Sequence, residues 1–479
     1  MNRVLRCIIN SAFICLLWQP VQAQISVINI VPNTRSFDSL HDSEPNLAVN
    51  PADPRKMAVS AFTSLDRYDF TLAPIYISLD GGNEWFLKRA IPENYWPRGS
   101  TDITLRFNGS GDKLYVAVLP GISGPMSFKI LSIPTIELEN EADYSSNVLN
   151  TRTYVDQPYI QATTILGGDG RRLDKVYVGD NDNFLNPGST SFTNMATVDF
   201  LPGVLACSPH PDFERVEKHP TSDNSREDES AVRTAVHSAG VIYAVFYRIK
   251  QRDIVTGVAD RADVVIVRDD HWAGSCPRFE DLKEGPVIGP PMIGKRIVQD
   301  CIVPYNSNLG SNRLIGSHLS IAVDPRNSAI VYVAWADSSV SDNTYTLHVR
   351  RSPDSGQSWP ATDVITVKRG INPALAVNTN GKVGFLYQQM IPASDDDYRW
   401  ETHLARSADG GVSWTDDTLS RFLESTTPFV HRHQELVYLG DYLHLMAVGK
   451  DFFGIFSASN YPDLANFPQR RPIYQREHD

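Results

Sequence analysis

Apolar residues in this chain occur in short runs that are separated by turn residues, and no segment predicts a helix-rich domain. The segments "SEPNLAVNPADPRKMAVSAF" at 43–62, "SHLSIAVDPRNSAIVYVAWA" at 317–336 and "NPALAVNTNGKVGFLYQ" at 372–388 share one design. In each, a polar residue opens a short apolar strand, an Asn/Asp/Pro/Gly turn follows, and a second apolar strand comes after it. This pattern predicts β-hairpins.

A second repeat lies downstream of each hairpin. The phrases "SLDGGNEW" at 78–85, "SPDSGQSW" at 352–359 and "SADGGVSW" at 407–414 share the pattern S-x-D-x-G-x-x-W. Each follows a third apolar strand, and a fourth strand is expected after the tryptophan. The repeating unit is therefore a four-stranded meander of about 50–60 residues, near the length of a propeller blade.

Weaker copies of the first two strands fill the gaps, at 101–120, 156–180, 228–248 and 439–459. The fold class predicted is all-β, a single β-propeller of four-stranded antiparallel blades. We expect seven blades, or six if one weak copy is an excursion. The segment 25–32 is expected to add a strand that closes the ring, which protects sheet edges. Long loop insertions are expected at 201–227 and 270–316.

The first 23 residues have the pattern of an export signal. Arg3 and Arg6 lie around the start of an apolar run that ends at Trp18, and small residues precede a cleavage point between Ala23 and Gln24. This predicts a signal peptide at 1–23, a propeller at 24–479, and a secreted or periplasmic protein, with a membrane anchor as the alternative. No later segment is apolar enough to span a membrane, and the net charge of −12 argues against nucleic acid as a partner.

Export permits disulfides, and three cysteines follow the predicted cleavage point: Cys207, Cys276 and Cys301. Because Cys276 and Cys301 flank one polar insertion, we predict that they pair and that Cys207 is unpaired. No Cys/His cluster has the spacing of a zinc site. We expect that the protein requires no cofactor, with a bound calcium ion as the alternative.

The three S-x-D-x-G-x-x-W turns resemble the Asp-box, or BNR, repeats of the sialidase-like β-propellers. In that family these turns lie on the outer part of the blades, away from the central site. Their physical role is structural: Ser and Asp bond the turn backbone, glycine permits positive φ, and tryptophan packs between sheets. We therefore expect Asp80, Asp354 and Asp409 to stabilise turns.

Candidate chemistry lies where the innermost strands begin, because these strands line the central channel of a propeller. Their first residues are Glu44, Asp102, Asp156, Gln157, Asp228, Glu229, His318, Asn372 and Asp441. The predicted catalytic residues are Glu44, Asp102, Asp156, Glu229 and Asp441, since converging carboxylates can perform acid–base chemistry or hold a cation. The alternative is that each carboxylate caps its own turn or bonds a neighbouring blade.

The resemblance also implies how a substrate would be held. The family binds a sugar carboxylate with three arginines, uses a tyrosine activated by a glutamate as nucleophile, and uses an aspartate as acid and base. The substrate-binding residues predicted here are Arg98, Arg152, Arg233 and His318. Other candidates are Arg67, Arg248 and Arg432, with Tyr68, Tyr159, Tyr247 and Tyr442 as tyrosines.

Two functions follow. The first is an exo-acting, sialidase-like glycoside hydrolase that acts on extracellular glycans or glycoproteins. The second is a non-catalytic propeller that binds glycan or protein partners, with or without calcium; the absence of the family's Phe/Tyr-Arg-Ile-Pro motif favours it. Asn108-Gly-Ser is in addition an N-glycosylation sequon.

Overall fold

The computed structural model of the chain is built almost entirely from antiparallel strands. It describes residues 25–30, 42–64, 71–91, 100–120, 127–139, 147–185, 192–200, 213–217, 232–251, 259–274, 276–285, 292–303, 319–338, 345–394, 397–423 and 439–459. One short helix, α1 (Thr135–Glu139), lies in this part of the chain. The described part of the chain contains no helix that is long and apolar enough to cross a bilayer. The predicted signal peptide at 1–23 lies outside the described residues.

Strands pair with their neighbours in chain order to form successive sheets. Sheet 1 contains β1 (Asp42–Val49), β2 (Met57–Ser64), β3 (Thr71–Ser78) and β4 (Phe86–Ile91); sheet 2 contains β5 (Ser100–Phe107), β6 (Lys113–Pro120), β7 (Ser127–Pro134) and β8 (Asn147–Thr153); sheet 3 contains β9 (Val155–Leu166), β10 (Arg172–Leu185), β11 (Phe192–Phe200) and β12 (Phe213–Arg215). Sheet 4 contains β13 (Arg233–Val236), β14 (Ile242–Gln251), β15 (Ala259–Asp269) and β18 (Lys295–Val303), with a side hairpin of β16 (Lys283–Glu284) and β17 (Met292–Ile293). Sheet 5 contains β19 (Leu319–Asp324), β20 (Asn327–Ser338), β21 (Tyr345–Ser352) and β22 (Ile365–Lys368); sheet 6 contains β23 (Gly370–Val377), β24 (Val383–Pro392), β25 (Tyr398–Ser407) and β26 (Thr415–Leu423); sheet 7 contains β27 (His444–Val448) and β28 (Asp451–Ile455).

The first strands of the sheets form a closed ring. β1, β5, β9, β13, β19, β23 and β27 contact one another in this order, and β27 contacts β1. Among the described residues, the strand pairing between sheets 4 and 5 is the single pair Ile302–Ser338. This arrangement is a β-propeller, as the sequence predicts. The number of blades stays a prediction, because sheet 7 is described through two strands.

Apolar side chains between adjacent sheets form the core. Val198 and Phe200 of sheet 3 pack with Phe246 of sheet 4, and Val49 of sheet 1 packs with Phe453 of sheet 7. Ile30 joins this last cluster, although residues 25–30 form no strand. The predicted closing strand is therefore wrong for these residues, and the ring closes through the contact of β27 with β1.

In several sheets, the turn that follows the first strand is hydrogen-bonded to the next sheet through a polar side chain. The Asn50 side chain donates to the Gly111 carbonyl over 2.7 Å, and Asn378 donates to the Lys450 carbonyl over 2.6 Å. Asn108 likewise donates to Asp174 of sheet 3 over 3.0 Å. Since Asn108 is 0% exposed and its amide nitrogen is engaged in this way, the predicted sequon is a buried turn cap in this fold.

The three S-x-D-x-G-x-x-W turns connect the third and fourth strands, as predicted. In the first, Ser78 Oγ accepts from the Gly82 amide (2.8 Å), and Asp80 Oδ1 accepts from the Asn83 and Glu84 amides (3.0 Å each). Trp85 is buried and its indole N–H donates to the Gly82 carbonyl. The structural role predicted for these turns is confirmed.

A fourth turn of related construction follows β15. Asp269 Oδ1 accepts from the amides of His271 and Ala273, the same spacing that Ser78 uses with Asp80 and Gly82. An aspartate therefore replaces the serine, which a search for S-x-D misses. Asp269, His271 and Asp281 are close enough to share an ion, but both Asp269 oxygens already accept from backbone amides.

Two expectations differ from the structure. The segments expected to be loops contain β12 and β18, which add strands to sheets 3 and 4, and the separate hairpin of β16 and β17. The predicted Cys276–Cys301 pair is wrong: Cys276 is disulfide-bonded, whereas Cys301 is free and buried. The β18 strand holds Cys301 against the Ala262 carbonyl of β15, 3.2 Å from its sulfur.

Candidate functional site

Three first strands share a backbone distortion at their entry to the ring. Glu44, Gln157 and Asn372 have φ values of 54°, 50° and 52°, and each precedes a proline. The strand pairing is interrupted at each of these positions by a bulge. A left-handed conformation costs a non-glycine residue about 1–3 kcal/mol, and bulges redirect side chains. The distortion therefore places buried polar groups at one end of the ring.

Several predicted residues meet across the interior of the ring. Tyr442 Oη, just before β27, donates to Asp102 Oδ1 of β5 over 3.1 Å. β1 lies between β5 and β27 in the ring, so this bond joins two first strands that are not direct neighbours. Burial, followed by the charges of Asp102 and Glu44, raises the pKa of Tyr442 well above its ordinary value. Glu44 and Asp102 are both buried and lie near this tyrosine, and their catalytic role stays a prediction.

Arg233 of β13 approaches this group from the opposite side of the ring. Its guanidinium carbon lies 5.1 Å from the centroid of Tyr159 and 5.6 Å from that of Tyr442. Burial lowers the pKa of Arg233, and the neighbouring tyrosines, Asp102 and Asp441 oppose this shift. Arg152 and Arg233 are the predicted substrate-binding residues that the structure describes, and of these two Arg233 lies near the predicted carboxylates Asp102 and Asp441.

Sequence reasoning missed Arg106 and His444, which lie in the same channel. Arg106 of β5 is 8% exposed, and its Nη2 is 2.9 Å from Nε2 of His444 on β27. Burial lowers the pKa of Arg106, and its hydrogen bond with Tyr159 opposes that shift. No described carboxylate is paired with Arg106, and its Nε atom is buried without a partner. The signal in the sequence was a charged residue inside the apolar strand "ITLRF".

Arg152, a predicted substrate-binding residue, is engaged elsewhere. It bonds Asp199, and its Nη2 lies 2.9 Å from Asp180, so that it joins sheet 2 to sheet 3. Burial raises the pKa of Asp180 well above its ordinary value, with a further contribution from Asp199 that opposes the effect of Arg152. This arginine is neutralised by its own sheets.

The remaining candidates are distributed as follows. Asp156 is buried and its Oδ1 accepts from the Gln157 amide over 2.8 Å, which matches the capping alternative. Tyr247 bonds the Ala336 carbonyl of sheet 5, and Arg248 bonds Glu217 over 2.8 Å. Residues outside the described part of the chain are Arg67, Tyr68, Arg98, Asp228, Glu229, His318 and Arg432.

Comparison with known proteins does not assign the chain to a family. No protein-family model and no curated protein matches it. Among solved structures, similarity is found to an ulvan lyase bound to -[GlcA(1-4)Rha3S]- (TM-score 0.46, 12% identity, 79% of this chain and 86% of that one). An α-L-arabinanase from Penicillium chrysogenum is also similar (TM-score 0.35, 11% identity, 87% and 93%). So is an intramolecular trans-sialidase from Ruminococcus gnavus (TM-score 0.32, 11% identity, 88% and 90%). At these low similarities, membership in the sialidase-like propellers stays a prediction, and the fold described here rests on strand order and contacts.

Proposed function

We propose that the protein is an exported, carbohydrate-active enzyme that binds the acidic group of a glycan in its central channel and cleaves a neighbouring glycosidic bond. The observation that supports this most directly is the environment of Arg106. A buried cation is unfavourable without a counter-ion. Its described neighbours Tyr159, His444 and Met446 include no carboxylate. A carboxylate or sulfate on a sugar would supply it through charge-assisted hydrogen bonds.

Hydrolysis of the sialidase type is the first candidate reaction. Tyr442 and Asp102 are the described pair that fits it, because the carboxylate that accepts the phenol proton can activate the tyrosine as a nucleophile. Tyr442 would attack the anomeric carbon while Asp102 takes its proton, and water would then release the sugar. Glu44 and Asp441 are the nearby candidates for the acid that protonates the leaving oxygen.

Elimination is the second candidate, and the position of Tyr159 favours it. Tyr159 is only partly buried, whereas Asp102 and Tyr442 are each 8% exposed. Its hydroxyl faces Arg106 and its ring lies beside Arg233, so two cations are available to stabilise a phenolate. The phenolate would remove the proton next to a hexuronate carboxylate, the bond to the leaving oxygen would break, and that oxygen would take the proton. No water is consumed.

One experiment tests the proposal and separates the two reactions. Release of reducing ends is measured on a sialoside, on hexuronate-containing polysaccharides and on neutral glycans, in ¹⁸O-labelled water and with or without EDTA. Hydrolysis introduces ¹⁸O into the product, whereas elimination introduces none and creates an ultraviolet-absorbing double bond.

Matched variants connect the result to the channel. Arg106→Gln should lower activity on acidic glycans by about 10- to 100-fold, the value of one or two hydrogen bonds to a charge. Arg326→Gln is the control, since its guanidinium is half exposed and paired with Asp324. Loss in Tyr442→Phe supports hydrolysis, and loss in Tyr159→Phe alone supports elimination. Glycan binding without turnover on any substrate would refute the enzyme and leave the non-catalytic propeller.

A further inference from the structure

Arg106 differs in the charge of its partner from three arginines of the described chain that pair with a carboxylate. Arg152 contacts Asp180, Arg248 contacts Glu217 over 2.8 Å, and Arg350 contacts Asp363 over 2.8 Å. At the corresponding place beside Arg106 stands the imidazole of His444. The partner is thus a carboxylate in these three pairs and a histidine at this position in the channel. Two other buried arginines use different partners: Arg278 donates to the Ala273 carbonyl, and Arg233 lies against the rings of Tyr159 and Tyr442.

The imidazole of His444 is neutral and held in place. His444 is 2% exposed, and burial, followed by the charge of Arg106, lowers its pKa well below the ordinary value. Because the guanidinium can only donate, Nε2 of His444 accepts the bond of 2.9 Å. The proton of the neutral ring is then on Nδ1, and the ring packs edge-on against Tyr159, whose centroid is 6.2 Å away.

We infer that His444 is a specificity-determining residue: it orients Arg106 as a neutral acceptor and so leaves the positive charge of that arginine available to an acidic sugar. A glutamate at this position would orient the guanidinium equally well but would neutralise it, as Glu217 does for Arg248. Selectivity for carboxylated or sulfated ligands over neutral ones thus depends on the absence of charge at residue 444. This inference rests on the proposed binding of an acidic glycan by the same arginine.

The test compares His444→Gln with His444→Glu in the full chain. Binding of sodium glucuronate and of inorganic sulfate is measured by calorimetry, with glucose as the uncharged probe. His444→Gln, which keeps a neutral acceptor, should bind the anions within a few-fold of wild type, whereas His444→Glu should lose at least about tenfold in affinity, since a charge-assisted bond is replaced by repulsion. The melting temperature of His444→Glu checks that it folds, and Arg106→Gln should lose anion binding to a similar degree.

Equal anion binding by wild type and His444→Glu would overturn the inference, and so would a wild type that binds neither anion. The enzymatic proposal fails separately. If acidic glycans are cleaved with the same KM in wild type and His444→Glu, the inference is wrong and the proposed function stands. If His444→Glu loses anion binding but no glycan is cleaved by the wild type, the inference stands and the catalytic proposal is wrong. In the supporting case, KM for acidic substrates rises more than kcat falls.

Discussion

His348 of sheet 5 is expected to make the stability of the protein depend on pH. Its Nδ1 lies 2.7 Å from Asp363 and its Nε2 lies 3.0 Å from Asp337. The imidazole stacks on Trp335, with ring centroids 5.0 Å apart. Burial lowers the pKa of His348, but the hydrogen bonds and charges of Asp337 and Asp363 outweigh it and raise the pKa to about 9.

The size and sign of the effect follow from this shift. The ordinary value of 6.5 describes the unfolded chain, so the folded state binds the proton more tightly. A difference between 6.5 and about 9 corresponds to roughly 3 kcal/mol of stability, as an upper value for a side chain that is 19% exposed. The contribution is complete below pH 6.5 and is lost as the pH rises through about 9.

The assay is urea denaturation of wild type and His348→Gln across this range. The free energies of unfolding of the two proteins should differ by roughly 3 kcal/mol at acidic pH. At alkaline pH only the part of the difference that comes from packing, which does not depend on pH, should remain. His271→Gln is the control, because His271 is 64% exposed. A stability difference between wild type and His348→Gln that does not change with pH would refute the reasoning. It would mean that Asp337 and Asp363 do not raise the pKa of His348 in the folded protein.

Three further predictions concern packing, ring closure and thiol chemistry. Trp85→Ala removes a buried indole and should lower the free energy of unfolding by about 3–5 kcal/mol. The exposed Glu84→Ala is the control and should lower it by about 0.5 kcal/mol or less. Equal losses of the two variants in chemical denaturation would contradict the packing role of Trp85. Gly440 has a φ of 86° and a Cβ there would lie 2.5 Å from the Glu44 amide nitrogen, so Gly440→Ala should sharply lower the melting temperature. Gly168→Ala, with nothing within 4 Å, should leave it unchanged, and equal melting temperatures would contradict a tight closure. Burial raises the pKa of Cys301, so a thiol reagent should modify it only after unfolding; rapid modification of the native protein would show that sheet 4 opens.

The fold was predictable because its repeating signals are local. The bonds of Ser78 and Asp80 in the first turn reach no further than four residues along the chain, so the phrase "SLDGGNEW" contains all the groups that form it. The hairpins follow from the same short-range turn chemistry. The degenerate turn at Asp269 was missed because a different residue type makes the same bonds.

The candidate site was predictable only in part, because its contacts join distant segments. The strand starts Glu44, Asp102 and Asp441 lie near Tyr442 or Arg233, and Asp156 Oδ1 accepts from the Gln157 amide; the catalytic roles of all four stay predictions. Arg106 and His444 are 338 residues apart, and no local pattern indicates that they touch. The disulfide partner of Cys276 was mispredicted for the same reason, since flanking a loop says little about distance in the fold.

Because the ring closes through β27 and β1, the channel is completed only when the end of the chain has been synthesised. Tyr442 and His444 leave the ribosome long after Asp102 and Arg106, their partners 340 and 338 residues earlier. A nascent chain that already holds the first six sheets thus has the arginine and both early carboxylates but lacks the groups that complete the cluster. Bringing such distant segments together is slow and entropically costly. Binding of an acidic ligand would therefore report that synthesis has passed the last sheet and that the two ends of the propeller have met.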